Sequence, residues 1–441
     1  AKLALGAVDY GHVDAGIRRF LYTPTFLNRP RTLHSAAAVA LLAGLALLAG
    51  CGGGSSESTT STTSSTPSTP SRPTPKTTDW PTYGFDQARA RYLPTDQVKP
   101  PFKVAWRYDA RHLMEYSPIV VGNTLYGIDN NGEAFALSTR NGKPRWRRDV
   151  ASLNASAPTY SDGKLFISNL EPGQVQALNA SNGKVLWRHS LPGRTESSPL
   201  VVGGQVIAGC ECGSVYSLNA RTGKENWSTS VGGAVKASPA FSEGTVYVGN
   251  YGGQLSALRA SNGGVRWTAS TNGRIYGSAA VAFGRVFVGT VAGTMYAFDA
   301  GSGSLDWSTT IGGYIYSAPA AAKAPGTPPS IYFGSYSGSV YALNAQTGAT
   351  RWSRYAAGPV SGAGSVIGDV FYAGDLKTTE TFGWRASDGK PVLQARDGAY
   401  NPAISDGRRL YLTGYRVIYS LHPAKGRASH GFVKKSRSMA G

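Results

Sequence analysis

A tryptophan returns about every forty residues through most of this chain. Trp106, Trp146, Trp187, Trp227, Trp267 and Trp307 are separated by 40, 41, 40, 40 and 40 residues, and Trp352 and Trp384 continue the series less regularly. The same words precede the tryptophans. Leu178-Asn179-Ala180 runs into Gly183 before Trp187, Leu218-Asn219-Ala220 into Gly223 before Trp227, and Leu343-Asn344-Ala345 into Gly348 before Trp352. A repeat of this length fixes the architecture before any single residue can be interpreted.

The block from Ser197 to Val231 shows what one repeat builds. Short runs at Ser198 to Val202, Gln205 to Ala208, Val215 to Leu218 and Glu225 to Ser230 are broken by Gly203-Gly204, by Gly209 and by Arg221-Thr222-Gly223. Four short strands separated by such turn residues form an antiparallel meander. No repeated stretch carries an apolar stripe of period 3.6, so helices should be scarce. Four strands in about 40 residues match one blade of a β-propeller. A lone sheet cannot bury both of its faces, but stacked neighbours can.

Blocks start near Ser117, Ala157, Ser198, Ser238, Ser278, Ala318, Gly362 and Asn401. The seventh is degenerate, because Trp384 falls early in Phe382-Gly383-Trp384-Arg385. The eighth runs out after its third strand, whereas Lys103 to Tyr108, with Trp106, is a fourth strand without a blade. The two ends are expected to complete one blade together, which closes the ring and leaves no open seam. The expected fold is therefore all-β, an eight-bladed propeller of four-stranded antiparallel blades over 79–423, its last blade closed by the N-terminal strand. The 56 glycines and a charged fraction of 16% suit a turn-rich β domain.

The flanks read differently. Residues 1–28 are expected to be an upstream extension. Arg29, Arg31 and His34 precede an apolar stretch from Ala36 to Leu48, followed by Leu48-Ala49-Gly50-Cys51. This resembles a bacterial lipoprotein signal peptide with its lipobox, which implies that Cys51 is acylated and that residues 1–50 are removed. Residues 51–78 are mostly Gly, Ser, Thr and Pro and read as a disordered tether. Lys425, Arg427, Lys434, Lys435 and Arg437 make 424–441 a basic tail, also expected to be disordered. The formal net charge of +19 suits proximity to anionic lipid or wall polymer. No nucleic-acid motif is present, and export argues against such a partner. With Cys51 lipidated, Cys210 and Cys212 remain as a candidate disulfide in an oxidising compartment.

The repeat words, the Asp79-Trp80-Pro81 lead-in and the lipobox together resemble the PQQ-like β-propeller superfamily, in the style of BamB-like envelope lipoproteins. The resemblance implies that Trp106, Trp146, Trp187, Trp227, Trp267, Trp307 and Trp352 are structural, each docking on a neighbouring blade. The superfamily also contains quinoprotein dehydrogenases. These hold PQQ over Ca²⁺ with carboxylate and amide ligands, an Asp base and a disulfide between adjacent cysteines. Here the repeats use up nearly the whole chain, the Lys323 to Ser330 insertion is short, and Cys210-Glu211-Cys212 is a loose echo of that cysteine pair. Neither PQQ nor Ca²⁺ is expected, and no catalytic or metal-binding residue is assigned. The six histidines lack ligand spacing, and hydrolase or phosphate-loop motifs are missing from the sequence.

Positions that differ between repeats are the candidates for function, because repeated positions serve the scaffold. On the face shared by the loops entering each first strand and the hairpins after each second strand, these are Glu115, Tyr116, Glu196, Lys236, Tyr251, Arg274, Tyr276, Tyr314, Tyr316, Tyr336 and Tyr400. A tyrosine-rich face of mixed charge suits recognition of protein or sugar. The expected function is a non-catalytic, lipid-anchored scaffold for envelope proteins. The alternative is a propeller that binds a wall saccharide or a quinone, and a PQQ-dependent dehydrogenase is the least favoured.

Overall fold

The structure, a computed structural model, describes residues 78–398, 400–425 and 433–434. The expected signal peptide, Cys51 and most of the tether lie outside the described residues. Antiparallel blades follow one another in chain order, beginning with Ile119–Val121, Thr124–Ile128, Glu133–Ser138 and Pro144–Asp149. The short first strands of successive blades meet around the axis. Blade eight joins the two ends: Phe102–Asp109 pairs with Val417–Pro423, which continues through Leu410–Thr413 to Ile404–Ser405. The chain is an eight-bladed β-propeller closed by its N-terminal strand.

Geometry explains each letter of the repeated word. Trp187 Nε1 donates to the Ala220 carbonyl of the next blade at 3.2 Å, and Trp227 donates likewise to Ala260 at 3.0 Å. Trp106, Trp146, Trp267, Trp307 and Trp352 make the same bond, to Thr139, Ala180, Ala300, Ala345 and Ala386. The Asn caps its turn, Asn219 Oδ1 accepting from the backbone N–H of Arg221 and Thr222. The Gly is required twice over. Gly223 has a left-handed φ of 73°, and a Cβ there would sit 2.6 Å from the Trp187 ring. Gly223→Ala is therefore expected to cost about 2–4 kcal/mol, through backbone strain and overpacking, as read by urea denaturation.

Blade seven departs from this scheme in a way that the register explains. Trp384 pairs with Phe371 and Pro391, the place that Leu218 holds in blade three between Val206 and Glu225. Leu393 pairs with Gly383, where Trp227 pairs with Ser217. The seam between blades seven and eight thus carries a leucine in place of the docking tryptophan, and Leu393 is buried in a shared core with Leu410, Leu412 and Tyr411.

Two features depart from the sequence reading. Residues 78–93 do more than lead into the ring: they form a plug that touches the inner edge of every blade. Thr78 N–H donates to Asp406, Trp80 bridges Val120, and the Pro81 carbonyl accepts from Tyr160. Gln87 Nε2 donates to Val201. The carbonyls of Gln87, Ala88, Ala90 and Arg91 then accept from Phe241, Val281, Ala321 and Val366 of blades four to seven. Arg89 is fully buried and donates to the carbonyls of Tyr83, Ser198, Pro199 and Pro239. Burial pushes its pKa down to about 9, so it remains a cation at neutral pH. The second departure is at the C-terminus. The 424–441 tail, expected to be disordered throughout, supplies Val433–Lys434, which pairs with Gln394 and Ala395 on the outer edge of blade seven. An open strand edge is a standing acceptor for such pairing.

Candidate functional site at the channel mouth

The loops entering the first strands set the mouth of the central channel. Serines hold successive loops in step: Ala157, Ser198 and Ser238 N–H donate to the hydroxyls of Ser198, Ser238 and Ser278 of the next blade. Two residues before these equivalent positions stand Glu115, Glu196, Lys236, Tyr276 and Tyr316. A repeated backbone therefore presents non-repeated side chains at matched positions around one axis.

On one side these groups form a connected network. Lys236 Nζ lies 2.8 Å from Glu196 Oε1 and 3.6 Å from Glu211 Oε1, and the Tyr276 hydroxyl donates to Glu196 Oε2 at 3.3 Å. From Tyr276 a chain of rings continues. Its centroid is 6.0 Å from Tyr251 and 5.5 Å from Tyr316, and Tyr316 is 5.5 Å from Tyr336 and 5.8 Å from Tyr314. Edge-to-face packing such as the 88° pair of Tyr276 and Tyr316 is the favoured arrangement of aromatic rings. Lys236 and Arg274 both stand over the Tyr251 ring, at 5.4 and 5.9 Å.

The other side is held from the plug and blades one and eight. Tyr116 packs at 5.3 Å on Tyr83, and the Arg91 guanidinium stands over the Tyr83 ring at 4.5 Å. Asn130 Nδ2 donates to Glu115 Oε2 at 3.2 Å, and Asn401 Nδ2 to the Met114 carbonyl at 2.6 Å. Tyr400 completes the lining with Glu115, Tyr116, Lys236, Tyr276 and Tyr316. What remains at the centre is a cavity of ≈ 60 Å³. The sequence reading missed Tyr83 and Asn401. Tyr83 belongs to the non-repeating plug, where no periodicity marks it, and Asn401 stands at a block start, where the other blocks carry Ser, Ala or Gly.

The electrostatics keep Tyr116, Tyr276 and Tyr400 protonated. The Glu196 charge, followed by burial, raises the Tyr276 hydroxyl well above its usual range. Burial, with Tyr83, Glu196 and Glu115 behind it, does the same for Tyr116. Burial and Glu115 push Tyr400 up to about 12. Burial also raises the Glu211 carboxyl, against the attraction of Lys236. A carboxyl whose folded pKa is raised loses stability as pH rises from its unfolded value through the folded one. Glu211→Gln is therefore expected to raise the melting temperature at pH 7 and to leave it unchanged near pH 3.5, as read by calorimetry at both pH values.

Against this geometry stand the comparisons with known proteins. A family model described as outer membrane protein assembly factor BamB matches residues 103–237 and 211–429. The chain belongs to this family. The BamB crystal structure from Moraxella catarrhalis superposes with a TM-score of 0.63 at 17% identity, over 73% of this chain and 100% of that one. A europium-containing methanol dehydrogenase superposes with a TM-score of 0.67 at 15% identity, over 78% and 98%. Quinohemoprotein alcohol dehydrogenase from Comamonas testosteroni gives 0.66 at 16%, over 82% of each chain. At these identities the likeness is one of fold. Among curated proteins, 1-butanol dehydrogenase (cytochrome c) of Thauera butanivorans is 30% identical over 110 residues, 21% of this chain and 16% of that protein. The dehydrogenase subunit of the quinone-type alcohol dehydrogenase of Gluconobacter oxydans is 32% identical over 77 residues, 16% of this chain and 10% of that protein. This BamB-family chain thus shares its propeller fold with BamB and with quinone-type dehydrogenases.

Proposed function

We propose that this BamB-family propeller is a non-catalytic scaffold of the cell envelope, tethered through acylated Cys51, that captures protein partners at its tyrosine-lined mouth. The observation that carries this reading is the filled channel. Pockets that enclose an organic ligand run to about 300 Å³ or more, whereas this centre offers ≈ 60 Å³ between Tyr83, Tyr116, Tyr276, Tyr316 and Tyr400. Among the described residues there is also no group of three His, Cys, Asp or Glu side chains placed to hold a metal ion. Of the carboxylates at the mouth, Glu196 and Glu211 are drawn to Lys236, and Glu115 accepts from Asn130. These residues do not fit a PQQ ring over a cation.

The rest of the mouth supports recognition. Tyr314 is 48% exposed at the outer end of the ring chain. Tyr and Arg on a preorganised surface are the residue types that dominate binding energy at protein interfaces. The family description points to an envelope protein as the partner. The net charge of +19 supports a position near anionic lipid or wall polymer.

The test joins capture with chemistry. Tyr276→Ala with Tyr316→Ala is expected to reduce capture of the envelope partner at least tenfold, since loss of two interface aromatics is worth about 2 kcal/mol or more. Unchanged melting of the double variant would show that the ring is intact. Retained capture would remove these residues from the interface. Dye reduction with an alcohol, PQQ and Ca²⁺ is expected to stay at background, and PQQ-dependent turnover would overturn the non-catalytic reading.

A further inference from the structure

Blade three holds a bridge that its neighbours do without. The hairpin between Gln205–Cys210 and Ser214–Asn219 is crossed by a disulfide from Cys210 to Cys212. In other blades the place of Cys210 is taken by a polar residue that caps the same turn. Asn250 Oδ1 accepts from Gln254 N–H at 3.1 Å, Asp129 Oδ1 from Glu133 N–H at 3.0 Å, and Thr290 Oγ1 from Thr294 N–H at 3.3 Å. In blade three Cys210 Sγ accepts instead from Cys212 N–H, two residues on rather than four, at 3.1 Å. The turn therefore closes elsewhere in the ring without a covalent link. A bridge between residues two apart also restricts the unfolded chain least, because the entropy gained grows with the length of the closed loop. Neither the fold nor its stability accounts for the second cysteine.

Access to the two sulfurs is unequal. Cys210 is 0% exposed, whereas Cys212 stands exposed at the hairpin tip. Cys212 Sγ lies 3.9 Å from the Tyr216 hydroxyl and lines no part of the central cavity. Thiol–disulfide exchange proceeds by attack on the accessible sulfur, and it is faster when the departing sulfur is a stabilised thiolate. The Cys212 N–H directed at Cys210 Sγ supplies that stabilisation.

We propose that Cys210 and Cys212 form a thiol–disulfide exchange site that accepts electrons from a cysteine pair of an exported polypeptide. A substrate thiolate attacks Cys212 Sγ, and a mixed disulfide forms as the Cys210–Cys212 bond breaks. The electron pair of that bond leaves on Cys210 Sγ, which then takes a proton from water. The second substrate thiolate attacks its own sulfur in the mixed disulfide and releases Cys212 as a thiolate, which is protonated in turn. One substrate dithiol becomes a disulfide, and one protein disulfide becomes a dithiol. A polypeptide fits better than a small thiol because Cys212 stands on an open hairpin rather than in a cavity. The site needs only an exposed Cys212, so it stands or falls separately from partner capture at the tyrosines.

The test uses the folded full chain and follows the peptide that carries both cysteines by mass spectrometry after alkylation. Millimolar reduced glutathione is expected to open the bridge reversibly while the propeller stays folded. A bridge that resists until denaturant unfolds the ring would overturn the proposal. A reduced peptide with two cysteines is expected to be oxidised one-for-one by the native chain and not by Cys210→Ser with Cys212→Ser. Equal oxidation by both would also overturn it. Cys210→Ser alone is expected to react rapidly with an aromatic disulfide reagent at Cys212, and Cys212→Ser alone to stay unreactive at Cys210. Equal rates would remove Cys212 as the attacked sulfur. The double serine variant is expected to melt within about 2 °C of the native chain, and a larger fall would make the bridge a structural staple.

Discussion

Arg89→Ala is expected to destabilise the propeller by about 3–5 kcal/mol, because it leaves several buried acceptors without a donor and opens a void. The side chain is fully buried and binds carbonyls from the plug and from blades three and four. Its Nη1 also donates to Thr82 Oγ1 at 3.1 Å, and Thr82 in turn meets Thr159 of blade two at 2.8 Å. Truncation strands these acceptors away from water and leaves a void, and both effects act in the same direction. Arg89→Lys is expected to recover only part of the loss, because one ammonium cannot reproduce the planar fork. Urea denaturation measures both. Limited proteolysis between residues 78 and 93 should accelerate in Arg89→Ala, since the plug would lose its central anchor. A loss below about 1 kcal/mol would show that the edge hydrogen bonds of the plug suffice without Arg89.

Trp106→Ala is the second large effect, at about 3–5 kcal/mol for deletion of a buried indole. The residue lies on the strand that closes the ring, pairs with Ser420 and donates to Thr139 of blade one. A Cβ on Gly142 of blade one would sit 2.6 Å from its ring, so the indole lies flat on the next blade. Blade eight is held by two chain ends, and this indole locks their seam to blade one. Amide hydrogen exchange is expected to rise selectively in residues 404–423 of the variant. Uniform exchange across all blades would mean that closure does not depend on this contact.

The ring was legible because its constraint is repeated. Each Trp–Gly contact forces the same two letters at the same spacing, so the pattern survives even where blade seven replaces its Trp with Leu393. The plug was not legible, because it does not repeat and many of its contacts with the blades run through backbone atoms. Gln87, Ala88, Ala90 and Arg91 contribute carbonyls that any residue carries, while Thr82, Tyr83, Gln87 and Arg89 add single, unrepeated side-chain contacts. At the mouth, non-repetition picked out Glu196, Lys236 and Tyr276, which the structure joins by hydrogen bonds and an ion pair. It could not show that the tyrosines fill the channel, because blade spacing alone does not tell how far side chains reach across an axis.

The most direct test of the account is photo-crosslinking from position 314 in intact cells. Tyr314 is exposed and ends the aromatic chain, so a photoreactive analogue there samples whatever docks on the mouth. One discrete adduct with an envelope protein is expected, lost when Tyr276 and Tyr316 are replaced by alanine. Efficient photolysis without a protein adduct, or an adduct that survives those substitutions, would contradict it.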